Sequence, residues 1–135
     1  MKKRLKSPSA QKTKSIVDQS TSTPMLDDGY IIFSFRYIQK NHCFSNCQPN
    51  EKQALAESIF KRRDMTWKSI QREPRHGLGY EKINQLNVAK PNCVPNGASI
   101  LSFRFCGKAA MVGFKENDVF HILWLDREYT VYNHG

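Results

Sequence analysis

The sheet of this protein is specified by residues 98–125, which read ASILSFRFCGKAAMVGFKENDVFHILWL. Three apolar runs in this segment are separated by two short polar breaks, at residues 107–108 and at residues 116–118. Short loops of Gly, Asn and Asp are the turns that close antiparallel hairpins. The segment therefore predicts three consecutive strands that form an antiparallel meander.

The hairpin register predicts which side chains of the meander share a face, because opposed residues point to the same side of a sheet. We assume two-residue loops at 107–108 and at either 116–117 or 117–118. One face is then apolar and holds Leu101, Phe103, Phe105, Ala110, Val112, Phe114, Val119, His121, Leu123 and Leu125. The other face mixes charged and aromatic groups and holds Ser102, Arg104, Lys115, Phe120, Ile122, Trp124 and Asp126. We interpret the first face as the core and the second as a candidate site, although a one-residue change in a loop would exchange them.

Three further elements are predicted before the meander. Residues 30–38 alternate between apolar and polar side chains, which is typical of a half-buried strand and places Arg36 on the same polar face as Arg104. Residues 51–63 and 65–72 have helical spacing, with Asn50 and Asp64 as the predicted caps. The expected fold is α+β, with two helices on one face of a four-stranded antiparallel sheet.

Composition and charge set limits on the kind of protein. The chain has 135 residues and a net charge of +9, and residues 1–24 contribute six basic groups against one aspartate. We predict a flexible basic tail at residues 1–25 and a single domain at residues 26–135. A basic domain favours a nucleic acid or an acidic protein partner, although the charge can also serve only solubility. The chain has neither a long apolar run nor a signal-peptide core, so we expect a cytoplasmic protein with no membrane partner.

The four cysteines allow two interpretations. His42, Cys43, Cys47 and Cys93 could form a zinc site, but structural zinc sites usually contain two tight pairs of ligands, and Cys93 has no close companion. Disulfides are not expected in a protein without a secretory signal. We therefore expect reduced thiols and no bound metal.

The order of the elements resembles that of the RelE/ParE superfamily of small bacterial toxins over roughly residues 30–134. The residues that support the resemblance are Leu86, Phe103-Arg104, the run from Val112 to Lys115, and Val131-Tyr132. Two features depart from the family pattern: Asp126-Arg127 stands where the family commonly has a basic residue, and the tail of residues 1–25 is additional. The resemblance implies a fold in which the face opposite the helices carries the active site.

The resemblance also implies a function, namely a toxin that cuts mRNA on the ribosome and is held inactive by a cognate antitoxin. In that reaction the ribose 2′-hydroxyl attacks the neighbouring phosphate, which requires proton carriers and cations but no metal or cofactor. Arg104 and Tyr132 match family positions, and His134 and Asp126 are candidate proton carriers. Candidate RNA-binding residues are Arg36, Lys82, Lys115, Trp124 and Arg127, and His76 is a further candidate proton carrier.

Other interpretations of the same residues remain open. The cations can simply pair with Asp118 or Asp126, and Trp124 and Tyr132 can simply pack against the sheet. At the level of function, the rivals are a ParE-like toxin that inhibits a protein target such as gyrase and a nucleic-acid-binding module without catalysis. A ribonuclease needs a proton carrier beside Arg104, whereas a binding module needs only cations and Trp124.

Overall fold

The computed structural model describes residues 29–134, so the predicted tail at residues 1–25 lies outside the described residues. The fold is α+β, as predicted, with two α-helices and one five-stranded sheet. Its elements are β1 (Ile32–Ser34), α1 (Pro49–Lys61), α2 (Trp67–Gln71), β2 (Glu81–Ile83), β3 (Ile100–Cys106), β4 (Ala109–Glu116) and β5 (Val119–Asp126). Among the described residues, neither helix is long and apolar enough to cross a membrane.

The strand order is β1-β5-β4-β3-β2, and the predicted meander forms its centre. Two details of the predicted sheet are wrong. The first strand pairs in parallel with β5, because residues 29–31 are held against residues 65–67 and enter the sheet beside the turn at Asp118. A fifth strand, β2, pairs with β3 at the other edge, and its three residues are too few to show an alternating pattern.

Two β-bulges change which side chains share a face: β4 and the first half of β5 face the opposite way from the prediction, whereas Leu101, Phe103 and Leu125 face the helices as predicted. Cys106 pairs with Ala109 but Arg104 pairs with Ala110, which leaves Phe105 as an extra residue in β3. A second irregularity follows in β5, where the pairs Gly113–Ile122 and Val112–Trp124 leave Leu123 as the extra residue. A bulge shifts the pairing by one residue and so turns the following side chains to the other face.

The sheet is consequently buried on both faces. The core on the helix side joins helix residues to Leu101, Phe103, Met111, Phe120, Ile122 and Leu125. On the other side, a second core contains Ala110, Val112, Phe114, Leu123, Trp124, Val131 and Tyr132. The face that was predicted to hold an open site is therefore closed by the C-terminal segment and by the loop that contains Leu86 and Val94.

The two helices begin at residues other than those predicted. Gln48 caps α1, and its backbone N–H donates to Glu51 Oε1 at 2.6 Å, while Asn50 lies inside the helix. Thr66 caps α2 by accepting a hydrogen bond from the backbone N–H of Ser69 at 3.1 Å. These caps fix where α1 and α2 begin, and the C-terminal half of α1 forms one wall of the cleft described below.

Candidate functional site

An open cleft of about 380 Å³ lies between α1, the loop at residues 76–78 and the end of β3. We call it the α1–β3 cleft. It is lined by Ala54, Glu57, Ser58, Lys61, Arg62, His76, Gly77, Leu78, Arg104 and Phe105. Three of these residues are cationic and a fourth is a histidine, so the cleft is suited to an anion.

Arg104 and His76 meet at the mouth of this cleft. Arg104 Nη1 lies 3.5 Å from His76 Nδ1, which is at the outer limit of a hydrogen bond. The contact is possible because β2 pairs with β3 only as far as Ser102, so the Arg104 side chain extends past the end of β2 toward the loop. Nε of Arg104 has no hydrogen-bond partner among the described residues.

Arg62 lies beneath the cleft and organises its wall. It is 1% exposed, and its guanidinium donates to the carbonyls of Ser58 and Leu78 at 2.9 and 3.0 Å. A longer contact of 3.4 Å reaches the Gly77 carbonyl, and the guanidinium lies 4.9 Å from the centre of the Phe103 ring. Burial lowers the pKa of Arg62 to about 10, so the group stays charged at neutral pH. Arg62 therefore fixes the loop that follows His76.

The basic run at residues 61–63 contains both exposed and buried side chains. Lys61 and Arg63 are exposed, whereas Arg62 is buried beneath the cleft. Lys61 is exposed and lines the α1–β3 cleft, while Arg63 lies 3.7 Å from Asp64 and covers the Phe60 ring. Lys61 is a site residue that the sequence did not single out, although the run itself was the available signal.

Asp126, a predicted proton carrier, is fully buried beneath the C-terminal segment. Its carboxylate accepts hydrogen bonds from the backbone N–H groups of Thr130 and Val131 at 2.9 and 3.0 Å. His134 Nε2 lies 2.7 Å from the same carboxylate. Asp126 therefore anchors residues 130–134 over the second core, and it is closed to a substrate.

Tyr132 and His134 belong to the same buried cluster. Their rings stack with a centroid distance of 3.9 Å, and they are 2% and 7% exposed. The Tyr132 hydroxyl lies 2.8 Å from Ser102 Oγ. The structure brings Tyr132, His134 and Asp126 together, but it does not bring them into the open cleft.

The buried hydroxyl of Tyr132 gives an expected dependence of stability on pH. Burial raises the pKa of Tyr132 above its ordinary value of 10.0, so the folded protein holds this proton more tightly than the unfolded chain. The free energy of unfolding should therefore fall as the pH rises from 10.0 toward the higher pKa of the folded state. Urea titrations at pH 8 and at about pH 11 should show a smaller loss in Tyr132→Phe than in the wild type. An equal loss in both proteins would assign the alkaline sensitivity to other groups.

Two of the predicted RNA-binding residues do not form the expected open site: Trp124 is buried, and Lys115 lies on the other face of the sheet. Trp124 is 3% exposed and packs in the second core, so its ring offers no face on which a base can stack. Lys115 lies on the helix side, with Nζ 5.2 Å from the Trp67 ring, because the bulge at Phe105 reverses the facing of β4. Lys115 and the exposed Lys82 line a shallow depression with Tyr80, separate from the α1–β3 cleft.

Arg127 and Arg36 lie away from the α1–β3 cleft. Arg127 Nε is 2.6 Å from Glu51 Oε1, which ties the C-terminal segment to the start of α1 and raises the pKa of Arg127. Arg36 is exposed after β1, with its guanidinium 5.2 Å from the centre of the Tyr37 ring. Arg36 was predicted to share a face of the sheet with Arg104, but it follows the end of β1, and β5 and β4 separate β1 from β3, so the two side chains do not form one site.

Metal-ligating side chains are dispersed within residues 29–134. No group of three or more His, Cys, Asp or Glu in this part of the chain could hold a metal ion. Cys43, Cys47, Cys93 and Cys106 are free thiols.

Comparisons of this chain with protein-family models, with curated proteins and with solved structures find no match. The resemblance to RelE/ParE toxins therefore remains a prediction from sequence. The function has to be inferred from the α1–β3 cleft itself.

Proposed function

We propose that the protein is a toxin that acts as a metal-independent endoribonuclease on ribosome-bound mRNA, under the control of a cognate antitoxin. The α1–β3 cleft is the site at which it cuts the phosphodiester. One observation carries the proposal: the Arg104 guanidinium lies 3.5 Å from the His76 imidazole, in an open cleft that also contains Lys61. A cation for the phosphate and a group that can carry a proton thus lie side by side.

The proposed reaction is a transesterification within the RNA chain. The 2′-hydroxyl attacks the adjacent phosphorus while the bond from phosphorus to the 5′-oxygen breaks, which gives a 2′,3′-cyclic phosphate and a 5′-hydroxyl. A base must take the proton of the 2′-hydroxyl, and an acid must give one to the departing 5′-oxygen. Histidine serves either role near neutral pH, because its ordinary pKa is about 6.5.

The cleft residues take complementary roles in this reaction. Arg104 and Lys61 stabilise the extra negative charge on the phosphate, and His76 carries one of the two protons. Glu57, an exposed carboxylate on the same wall of α1, is the second proton carrier. Arg62 has its hydrogen-bond donors directed at Ser58, Gly77 and Leu78, so it positions the loop after His76 and does not contact the RNA.

The depression that contains Lys82 and Lys115 provides a second contact with the RNA backbone. Ammonium groups bind phosphates without regard to base identity, and each contact adds to the salt dependence of binding. Tyr80 lines the same depression.

The burial of Asp126, Tyr132 and His134 favours a second candidate function, an RNA-binding module without catalysis. It leaves His76 and Glu57 as the only proton carriers on the described lining of the α1–β3 cleft. A binding module needs the cations of the cleft but neither of these two groups.

Expression of the full chain in bacteria tests the proposed function. The culture carries the chain under an inducible promoter, growth is followed after induction, and transcripts are mapped by primer extension. We expect growth arrest with new, codon-phased cuts. Arrest with intact transcripts would favour a toxin that inhibits a protein target such as gyrase. Normal growth at good soluble expression would favour the binding module.

A further inference from the structure

Phe105 is the only Phe, Tyr or Trp on the described lining of the α1–β3 cleft. It directly follows Arg104 in the chain, and both side chains line the cleft. Successive residues of a regular strand point to opposite faces of a sheet, so two neighbours in one cleft require a break in the regular pairing.

Phe105 has no cross-strand partner on either side of β3. β2 pairs with β3 only as far as Ser102, and the first bulge leaves Phe105 unpaired with β4. Bulges re-aim side chains, and they are common at sheet edges and beside functional sites. The end of β3 is therefore a free edge at which Arg104 and Phe105 both reach the cleft.

The Phe105 ring is held by the protein without being used by another ring. It is partly buried and packs against the helix-side core, and such burial removes rotamer freedom. The ring–ring contacts of that core join Phe33, Trp67, Tyr80, Phe103 and Phe120. Within residues 29–134, the Phe105 ring contacts no other aromatic ring and no cation. A positioned ring is thus left for a ligand in the cleft.

The polar groups around Phe105 are suited to a phosphate. Arg104 Nε is a buried donor without a partner among the described residues, and Arg104 Nη1 lies 3.5 Å from His76. Lys61 adds a second positive charge to the lining, against the single carboxylate of Glu57. A cationic groove that contains an aromatic ring is the usual arrangement for binding single-stranded nucleic acid. The cleft volume of about 380 Å³ leaves room for one nucleotide unit.

We propose that Phe105 is the residue on which a base of the bound RNA stacks, while the adjoining phosphate lies against Arg104. The inference rests on the entry of RNA into the α1–β3 cleft, which is part of the proposed function, but not on cleavage. Every base has an aromatic face, so Phe105 contributes affinity without selecting a sequence. Phe105 thereby takes the role that the sequence predicted for Trp124, whose ring is buried in the second core.

Two RNA probes separate a base contact from phosphate contacts. One is a fluorescently labelled single strand of about ten nucleotides, which is within the usual site size of a single-strand binder. The other is an abasic strand of the same length with the same ribose–phosphate backbone. Each probe is titrated with the full chain while anisotropy is measured. Phosphate contacts anywhere on the chain bind both probes alike, so the ratio of the two dissociation constants reports contacts with bases.

The wild type should bind the probe with bases more tightly than the abasic probe. Phe105→Leu keeps an apolar side chain but removes the ring, so it should reduce the ratio of the two dissociation constants by a factor of about 5–100, the usual effect of losing one base–aromatic stack. Phe105→Tyr keeps the ring and should keep the ratio. The matched control Phe44→Leu, at a half-exposed phenylalanine outside the cleft, should also keep it. Circular dichroism checks that the variants keep the wild-type fold.

Arg104→Ala separates this inference from the proposed function. Because Arg104 contacts phosphate, its removal should weaken the binding of both probes by a similar factor. If it does so, but the wild-type ratio is near one or Phe105→Leu leaves the ratio unchanged, the stacking role is overturned and the cleft remains an RNA site. If the wild type binds neither probe, or Arg104→Ala leaves both affinities unchanged, the inference and the proposed function fail together.

Discussion

Arg104→Ala should reduce the rate of RNA cleavage by a factor of about 10²–10³, which is the usual effect of removing one preorganised donor from a developing negative charge. The reason is the position of Arg104 at the mouth of the α1–β3 cleft, beside His76. Single-turnover cleavage of ribosome-bound mRNA measures the effect. His76→Ala should lower the same rate by about 10²–10⁴, the usual contribution of a general acid or base.

Two control variants make this prediction specific to the cleft. Arg36→Ala removes an exposed arginine beyond the other edge of the sheet and should leave the cleavage rate unchanged. Tyr132→Phe keeps the buried ring and should also leave cleavage intact at neutral pH. Full activity of a folded Arg104→Ala protein would remove the α1–β3 cleft from the reaction. Loss of activity in Tyr132→Phe would instead place the chemistry at the C-terminal segment.

Asp126→Ala should lower the free energy of unfolding by about 3–5 kcal/mol, because it removes the shared acceptor of a buried hydrogen-bond cluster and leaves its donors unpaired. The carboxylate accepts from the backbone N–H groups of Thr130 and Val131 and lies 2.7 Å from His134 Nε2. Urea unfolding measures the change. As the matched control, Asp64→Ala removes an exposed carboxylate that lies 3.7 Å from Arg63 and should change the stability by less than about 1 kcal/mol.

The same variant should open the second core locally. Residues 130–134 cover Trp124, so their release should make this ring accessible to acrylamide, which quenches tryptophan fluorescence. Trp67 lies in the helix-side core and should stay protected in the folded variant. Unchanged quenching together with unchanged stability in Asp126→Ala would show that the C-terminal segment does not depend on this anchor.

The meander and the helices could be predicted because their signals are local. Apolar runs, short turns and a capped helix are each set by neighbouring residues, and they were placed within a few residues of their observed positions. The parallel pairing of β1 could not be predicted, since it depends on contacts between residues 29–31 and 65–67. Strand β2 is too short to be distinguished from a loop by its pattern.

The prediction of which side chains face the helices was wrong for β4 and for part of β5, because each bulge changes the pairing register by one residue. One signal for the second bulge was present in the sequence, since an isolated Gly in a strand often marks a bulge or a close backbone approach. A Cβ atom on Gly113 would lie 1.9 Å from the His121 carbonyl oxygen. The close approach of the two backbones therefore requires glycine at this position. Gly113 directly follows Val112, whose pairing with Trp124 marks the second bulge.

The candidate site was predicted in part. Arg104 and His76 were both singled out from the sequence, but their proximity depends on where β2 ends, and that end is set by tertiary pairing. Tyr132, His134 and Asp126 do lie together, but they are buried because the Asp126 carboxylate holds the backbone of residues 130–131 over the second core. Sequence spacing alone does not distinguish a segment that covers the sheet from one that leaves it open.

The decisive measurement is cleavage of a ribosome-bound mRNA compared with the same mRNA carrying a single 2′-deoxy nucleotide at the mapped cut site. We expect the all-ribose mRNA to be cut with a 2′,3′-cyclic phosphate end and the deoxy mRNA to stay intact at that site, because the 2′-hydroxyl is the nucleophile. Binding without any cut, or equal cutting of both mRNAs, would contradict the assignment of a metal-independent ribonuclease to this protein.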